Sequence, residues 1–213
     1  MQPKTALSRA ASAVALTLLY LGYGQAIAVA ESRDDWQQPE RVIADLGLRP
    51  SARVADIGCG SGYFTIPIAA AVGASGMVMA VDPSQKAVDS LRGRIRQANA
   101  KNIEVIQSSG ASTGLGDASC DAVFICNVLH EVSPASLRPA LMRDIARAMK
   151  PGASLYLLDY RKIQEATRFD PIEKIIARED LLRLAADAGL ELDAEFHYLK
   201  YQVFLRFRKP DQA

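Results

Sequence analysis

Three cysteines, two histidines and one tryptophan among 213 residues close off several chemistries at the outset. Cys59, Cys120 and Cys126 are odd in number and lack metal-type spacing, so neither a disulfide framework nor a zinc site can be read from them. Surplus charge is missing too. The 25 basic residues face 24 acidic ones, a formal net charge of +1, without the basic excess that advertises nucleic acid. Internal repeats, low-complexity tracts and linkers are absent after residue 31, which argues one domain over residues 31–213. With 49% apolar and 23% charged residues, the composition is that of an ordinary globular chain with a sizeable core.

The first thirty residues stand apart from that domain. Lys4 and Arg9 precede an uncharged stretch from Ala10 to Ala30, whose most apolar part is "AVALTLLYL". Ala28 and Ala30 then sit directly before Glu31. A charged start, an apolar middle and a small-x-small end, in that order, are expected of an export signal over residues 1–30, cleaved to leave Glu31 first. The domain is then expected in the periplasm or outside the cell, with no membrane span left after cleavage. Two alternatives stay open: an uncleaved anchor, because about twenty apolar residues can span a bilayer, and a misassigned start, which would leave the domain in the cytoplasm.

Beyond residue 31, short apolar runs alternate with helical patterns. "RVADIG", "MVMAVD", "IEVIQ", "DAVFICN" and "SLYLLDY" read as buried strands. Between them, Val88, Leu91, Ile95 and Ala98 share one helical face after Ser84, and Leu137, Leu141, Ile145 and Met149 share another after Ser133 and Pro134. "REDLLRLAADAGL" gives a last helix, and the alternating tail "LDAEFHYLKYQVFLRFRK" an antiparallel pair. The pattern predicts an α/β fold with a mostly parallel sheet, helices on both faces and an antiparallel edge. In that arrangement Cys59 and Cys126 fall on neighbouring strands, where buried thiols are the simpler account and a disulfide the alternative.

The most informative stretch is "VADIGCGSGYFT", residues 54–65. An acid, Asp56, ends an apolar run, and Gly58, Gly60 and Gly62 follow two apart. Ligands of open α/β sheets sit beyond the carboxyl ends of the strands, and glycines there let the backbone approach them. A dinucleotide fingerprint needs a third glycine at position 63, which is Tyr63. The phosphate loop G-x-x-x-x-G-K-S/T does not occur, nor does a Tyr-x-x-x-Lys pair. What remains is Asp-x-Gly-x-Gly-x-Gly, followed by Asp82 at the end of the second strand, an acid placed to accept from both hydroxyls of a ribose.

With "VMAVDPS", "DAVFICNVLHEV" and "MKPGASLYLLDY", this stretch closely resembles the class I S-adenosylmethionine-dependent methyltransferases, from about Arg33 to Lys209. Within the class the chain looks most like the small-molecule branch that includes ubiquinone- and menaquinone-type enzymes. The resemblance implies a Rossmann-like three-layer sandwich with a seven-stranded sheet in the order 3-2-1-4-5-7-6, strand 7 antiparallel. It implies S-adenosyl-L-methionine as cofactor, with Gly58, Gly60 and Gly62 passing close to its methionine part, Asp56 facing its ammonium and Asp82 holding the ribose. Asn127 would offer its carbonyl near the sulfonium. A bulky residue at Gly58 or Gly60 would then occupy ligand space.

The chain departs from the family after the third strand. Where Gly-Asp-Ala is common, it has "SSG", which puts Ser109 in place of the adenine-binding acid and Gly110 after it. A hydroxyl accepts more weakly than a carboxylate. The Asn/Asp-Pro-Pro-aromatic motif of enzymes that methylate exocyclic amines is replaced by "NVLH". A small-molecule acceptor is therefore expected rather than nucleic acid, with a non-catalytic S-adenosylmethionine-binding exported protein as the alternative. His130 is the best candidate general base if the acceptor must lose a proton, because imidazole titrates near neutrality. Trp36 and Tyr63 are placed to cover the cofactor, Tyr160 and Arg161 to line the ligand rim, and His197 to be structural. No metal and no oligomeric state can be read.

Overall fold

The computed structural model describes residues 31–211, and the expected export segment, residues 1–30, lies outside them. Two short helices open the domain, α1 (Arg33–Gln37) and α2 (Pro39–Asp45). The Ser32 hydroxyl and the Asp35 carboxylate reciprocally cap α1, and Pro39 at the first turn of α2 costs no hydrogen bond there. Strand and helix then alternate through β1 (Arg53–Ile57), α3 (Thr65–Val72), β2 (Met77–Asp82), α4 (Gln85–Ala98), β3 (Ile103–Gln107) and β4 (Cys120–Cys126). The rest is α5 (Arg138–Ala148), β5 (Met149–Tyr160), α6 (Arg178–Ala186), β6 (Glu191–Phe196) and β7 (Gln202–Arg208).

All seven strands form one sheet in the order β3-β2-β1-β4-β5-β7-β6. The first five are parallel, while β7 runs antiparallel to both β5 and β6. The expected topology is therefore met throughout. Alternation along the buried strands sends successive residues to opposite faces. Ala55, Ile57, Val123, Ile125, Leu155 and Leu157 pack beneath Leu141, Met142 and Ile145 of α5 and Leu181 of α6. Val54, Ala122, Phe124, Tyr156 and Leu158 take the other face with Val42 of α2 and Ile68 and Val72 of α3.

Local expectations were refined in two places. The helix expected to open at Ser133 starts only at Arg138, after a 3-10 turn over Ala135–Leu137, and β5 begins at Met149, ahead of the "SLYLLDY" run read as its strand. Cys59, Cys120 and Cys126 are free thiols. The order of strands brings the carboxyl ends of β1, β2 and β4 to one edge, and the glycine loop after β1 sits among them.

Candidate functional site

The loop begins where β1 runs out. The Gly58 and Cys59 N–H groups both donate to the Val81 carbonyl, at 2.7 and 3.1 Å, which binds the loop to the end of β2. Gly58, Gly60 and Gly62 all have positive φ, at 68°, 53° and 88°, which side chains disfavour. Their surroundings differ. A Cβ at Gly60 would enter open space, whereas one at Gly58 would lie 2.2 Å from Val128 Cγ2 and one at Gly62 2.4 Å from Leu91 Cδ1. The expectation that bulk at Gly58 would fill ligand space is thus corrected. It would collide with the β4 loop first.

Two clefts meet at this loop. The first, about 360 Å³, is lined by Arg33, Trp36, Asp56, Tyr63, Cys126, Asn127 and Tyr160 together with residues 58–61 and Phe64. The second, about 340 Å³, lies toward β2 and β3 and is lined chiefly by Ile57, Val81, Pro83, Val128, Leu137 and Leu141, with Ser109, Gly110 and Thr113. Gly58 borders both. One is polar and charged at its base, the other largely apolar.

Asp56 is buried at the floor of the first cleft and accepts from Thr65 Oγ1 at 2.6 Å. Burial raises its pKa to about 7, with the nearby Asp82 charge adding to the effect and the Thr65 bond opposing it. A carboxylate so held favours an arriving cation. Asp82 is nearly as buried and accepts from the Gly60 N–H at 2.9 Å and the Ser84 N–H at 2.8 Å. It therefore underpins the glycine loop and borders neither cleft directly. Each of its oxygens retains acceptor capacity for a hydroxyl.

Asn127, with φ of 57°, lines the first cleft, and its side-chain oxygen accepts from Gln202 Nε2 at 2.7 Å. Gln202 Oε1 in turn accepts from the buried Gln37 Nε2 at 3.3 Å, and Gln37 Oε1 from Arg33 Nε at 2.6 Å. This polar chain links the tip of β4 to α1 and sets Arg33 at the cleft, where its guanidinium also lies 3.8 Å from the Tyr63 ring centre. Arg33 and the two glutamines were missed in the sequence, because their alignment depends on α1 folding back over the sheet. Tyr160 lines the cleft as expected, and burial pushes its phenol up to about 12. Arg161 does not line it; it donates instead to the Gln202 carbonyl at 3.0 Å. The Cys59 and Cys126 thiols are pushed far up by burial, so neither is a nucleophile at neutral pH.

His130 lies in a 3-10 turn over Leu129–Glu131, 4% exposed, and outside both clefts. Its Nδ1 is 2.5 Å from Asp159 Oδ1 and its Nε2 is 3.2 Å from Asp170 Oδ2. Burial alone would lower its pKa, but the Asp159 hydrogen bond and the charges of Asp159, Asp170 and Glu131 outweigh it and raise the value. A ring engaged at both nitrogens is poorly placed to take a proton from a substrate. This geometry argues against the expected general-base role. His197, by contrast, is exposed on the segment after β6.

The donor set suits an amino-acid-bearing nucleoside: a buried carboxylate at the floor, a guanidinium at the rim, and an apolar slot for a flat base beside hydroxyls. Comparison with known proteins agrees. Residues 54–152 match the family model described as a methyltransferase domain. A demethylmenaquinone methyltransferase of Staphylococcus aureus is 29% identical over 129 residues, 61% of this chain and 51% of that protein. The chain thus spans about half the length of the curated relatives it matches. A solved SAM-dependent methyltransferase from Aquifex aeolicus superposes with a TM-score of 0.76 at 24% identity, over 84% of this chain and 94% of that one. The cyclase SpnF shares the fold as well, with a TM-score of 0.70 at 17% identity, over 83% and 81% of the two chains. Fold alone therefore leaves the reaction open. Residues 54–152 are thus similar in sequence to a methyltransferase domain, and the fold is that of solved SAM-dependent methyltransferases.

Proposed function

We propose that the protein binds S-adenosylmethionine across the Gly58–Gly62 loop and transfers its methyl group to a small-molecule acceptor. The observation that carries this reading is the junction at Gly58 of two clefts of unlike chemistry, one acid-floored and one apolar. When bound, the cofactor supplies a sulfonium, an already activated methyl donor. The chain's own residues bind and align. Asp56 meets the ammonium and Arg33 the carboxylate of the amino-acid end. Asp82 accepts from the ribose, and Ile57, Val81, Leu137 and Leu141 enclose the purine, with Ser109 as a neutral acceptor. Asn127, which lines the first cleft, stands near the sulfonium. Alignment at near-attack distance is itself worth several kcal/mol, and no side chain need remove a proton from an acceptor that is already nucleophilic.

The acceptor would enter beside Trp36, Tyr63 and Tyr160, whose rings line the first cleft. That aromatic wall favours an acceptor with a planar ring, and the demethylmenaquinone methyltransferase relative is consistent with one. Turnover of isotopically methyl-labelled donor against quinones, phenols and amines tests the reading. Label transferred to one of these classes is expected. Tight cofactor binding with no transfer to any of them would instead favour a binding protein. We also propose that residues 1–30 direct export. The support is the order of charge, apolar stretch and small residues. Among the described residues, no helix is long and apolar enough to cross a membrane.

A further inference from the structure

His130, which lines neither cleft, is the centre of a group of metal-ligating side chains in the described residues. His130 Nε2, a Glu131 carboxylate oxygen and an Asp170 carboxylate oxygen all lie within 4.8 Å of one another. The separations from Nε2 are 3.2 Å to Asp170 Oδ2 and 3.6 Å to Glu131 Oε1. Ligands of a divalent ion with bonds of about 2.0–2.2 Å sit roughly 2.9–3.5 Å apart, so these donors already stand close to coordination spacing.

The surroundings fit an ion as well. Asp159, 1% exposed, takes the Nδ1 side of His130 at 2.5 Å, which fixes the tautomer that turns Nε2 toward the two carboxylates. A carboxylate behind the histidine is the usual outer support of a metal-bound imidazole. The other Asp159 oxygen is buried with no hydrogen-bond partner, an acceptor left unsatisfied beside the histidine. Lys174 Nζ lies 3.4 Å from both Glu131 Oε1 and Asp170 Oδ1, an ammonium standing where positive charge is called for. Glu131 and Lys174 are half-exposed, which gives an ion a way in.

We propose that His130, Glu131 and Asp170 form a binding site for one divalent cation of the kind that takes mixed nitrogen and oxygen ligands, such as zinc or manganese, with Asp159 orienting the histidine. Its effect on the molecule follows from what the three residues join. His130 and Glu131 follow β4, while Asp170 follows Phe169, whose ring stacks on Tyr160 at 5.2 Å and 3°. Tyr160 lines the first cleft. The ion would pin that aromatic wall to the turn after β4. The site stands independently of the proposed methyl transfer.

The test uses the full chain, stripped with a chelator and titrated with Zn²⁺ by calorimetry and with Co²⁺ by visible absorption. One ion per chain is expected, with Zn²⁺ displacing Co²⁺ and raising the melting temperature. His130→Gln and Asp170→Asn should each weaken binding more than tenfold, and Asp159→Asn about tenfold. His197→Gln should leave it unchanged, and Lys174→Met should tighten it by removing the competing ammonium. Circular dichroism on each variant separates loss of the site from loss of the fold, and Asp170→Asn, on a surface segment, is the variant least exposed to that confusion. Two results would overturn the proposal: no stoichiometric binding in either the wild type or Lys174→Met, or binding undiminished in a folded Asp170→Asn. Either would mean that the cluster is an internal ion-pair network closed by Lys174.

Discussion

Asp56 gives the site a pH dependence that can be worked out in advance. The carboxyl is 3% exposed, and burial raises its pKa from 3.8 to about 7. Between those values the folded chain holds a proton that the unfolded chain has released. Stability must therefore fall as pH rises through that window and level off above it. At 1.36 kcal/mol per pKa unit, this one group removes about 2.5 kcal/mol between roughly pH 5 and pH 8. For a chain of this size that is a drop of about 5–10 °C in melting temperature. To isolate this one group, the measurement is the difference between wild type and Asp56→Asn, melted without ligand at both pH values. The wild type should lose the extra 5–10 °C, and the variant should not. An added ligand carrying an ammonium favours the carboxylate, so affinity for S-adenosylhomocysteine should strengthen as pH rises toward 7 and then plateau. Parallel melting profiles for the two proteins would refute the assignment of a proton to this buried group.

Removing the Thr65 hydroxyl deletes the bond that opposes the shift, so Thr65→Val should move the same transition to higher pH in the wild-type-minus-Asn difference. Gly58→Ala places a Cβ against Val128 at positive φ, and the backbone conformation alone costs about 1–2 kcal/mol. Its melting temperature should fall, and adding Val128→Ala should restore part of the loss; no recovery in the double variant would discredit the collision. Asp82→Ala leaves the Gly60 and Ser84 N–H groups without their acceptor, so cofactor affinity should drop at least tenfold while the sheet survives by circular dichroism. Undiminished affinity in that variant would remove Asp82 from the ribose. Fusing residues 1–40 to a reporter active only outside the cytoplasm should give signal and a mature N-terminus at Glu31, whereas complete cytoplasmic retention would contradict export.

The sheet was legible because its order rests on patterns that are local in the chain. Apolar runs such as "DAVFIC" and "SLYLLD" are short and rich in β-branched and aromatic residues, as buried strands are, and the alternating tail reads as an antiparallel pair. The glycine loop was legible for the same reason, since Asp56 and the three glycines lie within seven residues. What escaped depends on long-range approach. Arg33 reaches the cleft through Gln37 and Gln202, residues 165 positions apart, and no pattern in either segment signals it. Asp159 did carry a signal, an acid closing an apolar strand just as Asp82 does, but its partner His130 is 29 residues earlier in the chain. His130 was singled out from the sequence as a candidate general base. Two of its three carboxylate neighbours, Asp159 and Asp170, come from the end of β5 and the segment after it, out of reach of any local pattern.

The most direct measurement is a crystal structure with S-adenosylhomocysteine at saturating concentration. Density should run from the first cleft, with its ammonium at Asp56, past Asp82 at the sugar, to a base between Leu137 and Ser109. Both clefts empty at that concentration, or the ligand held elsewhere on the molecule, would contradict the account.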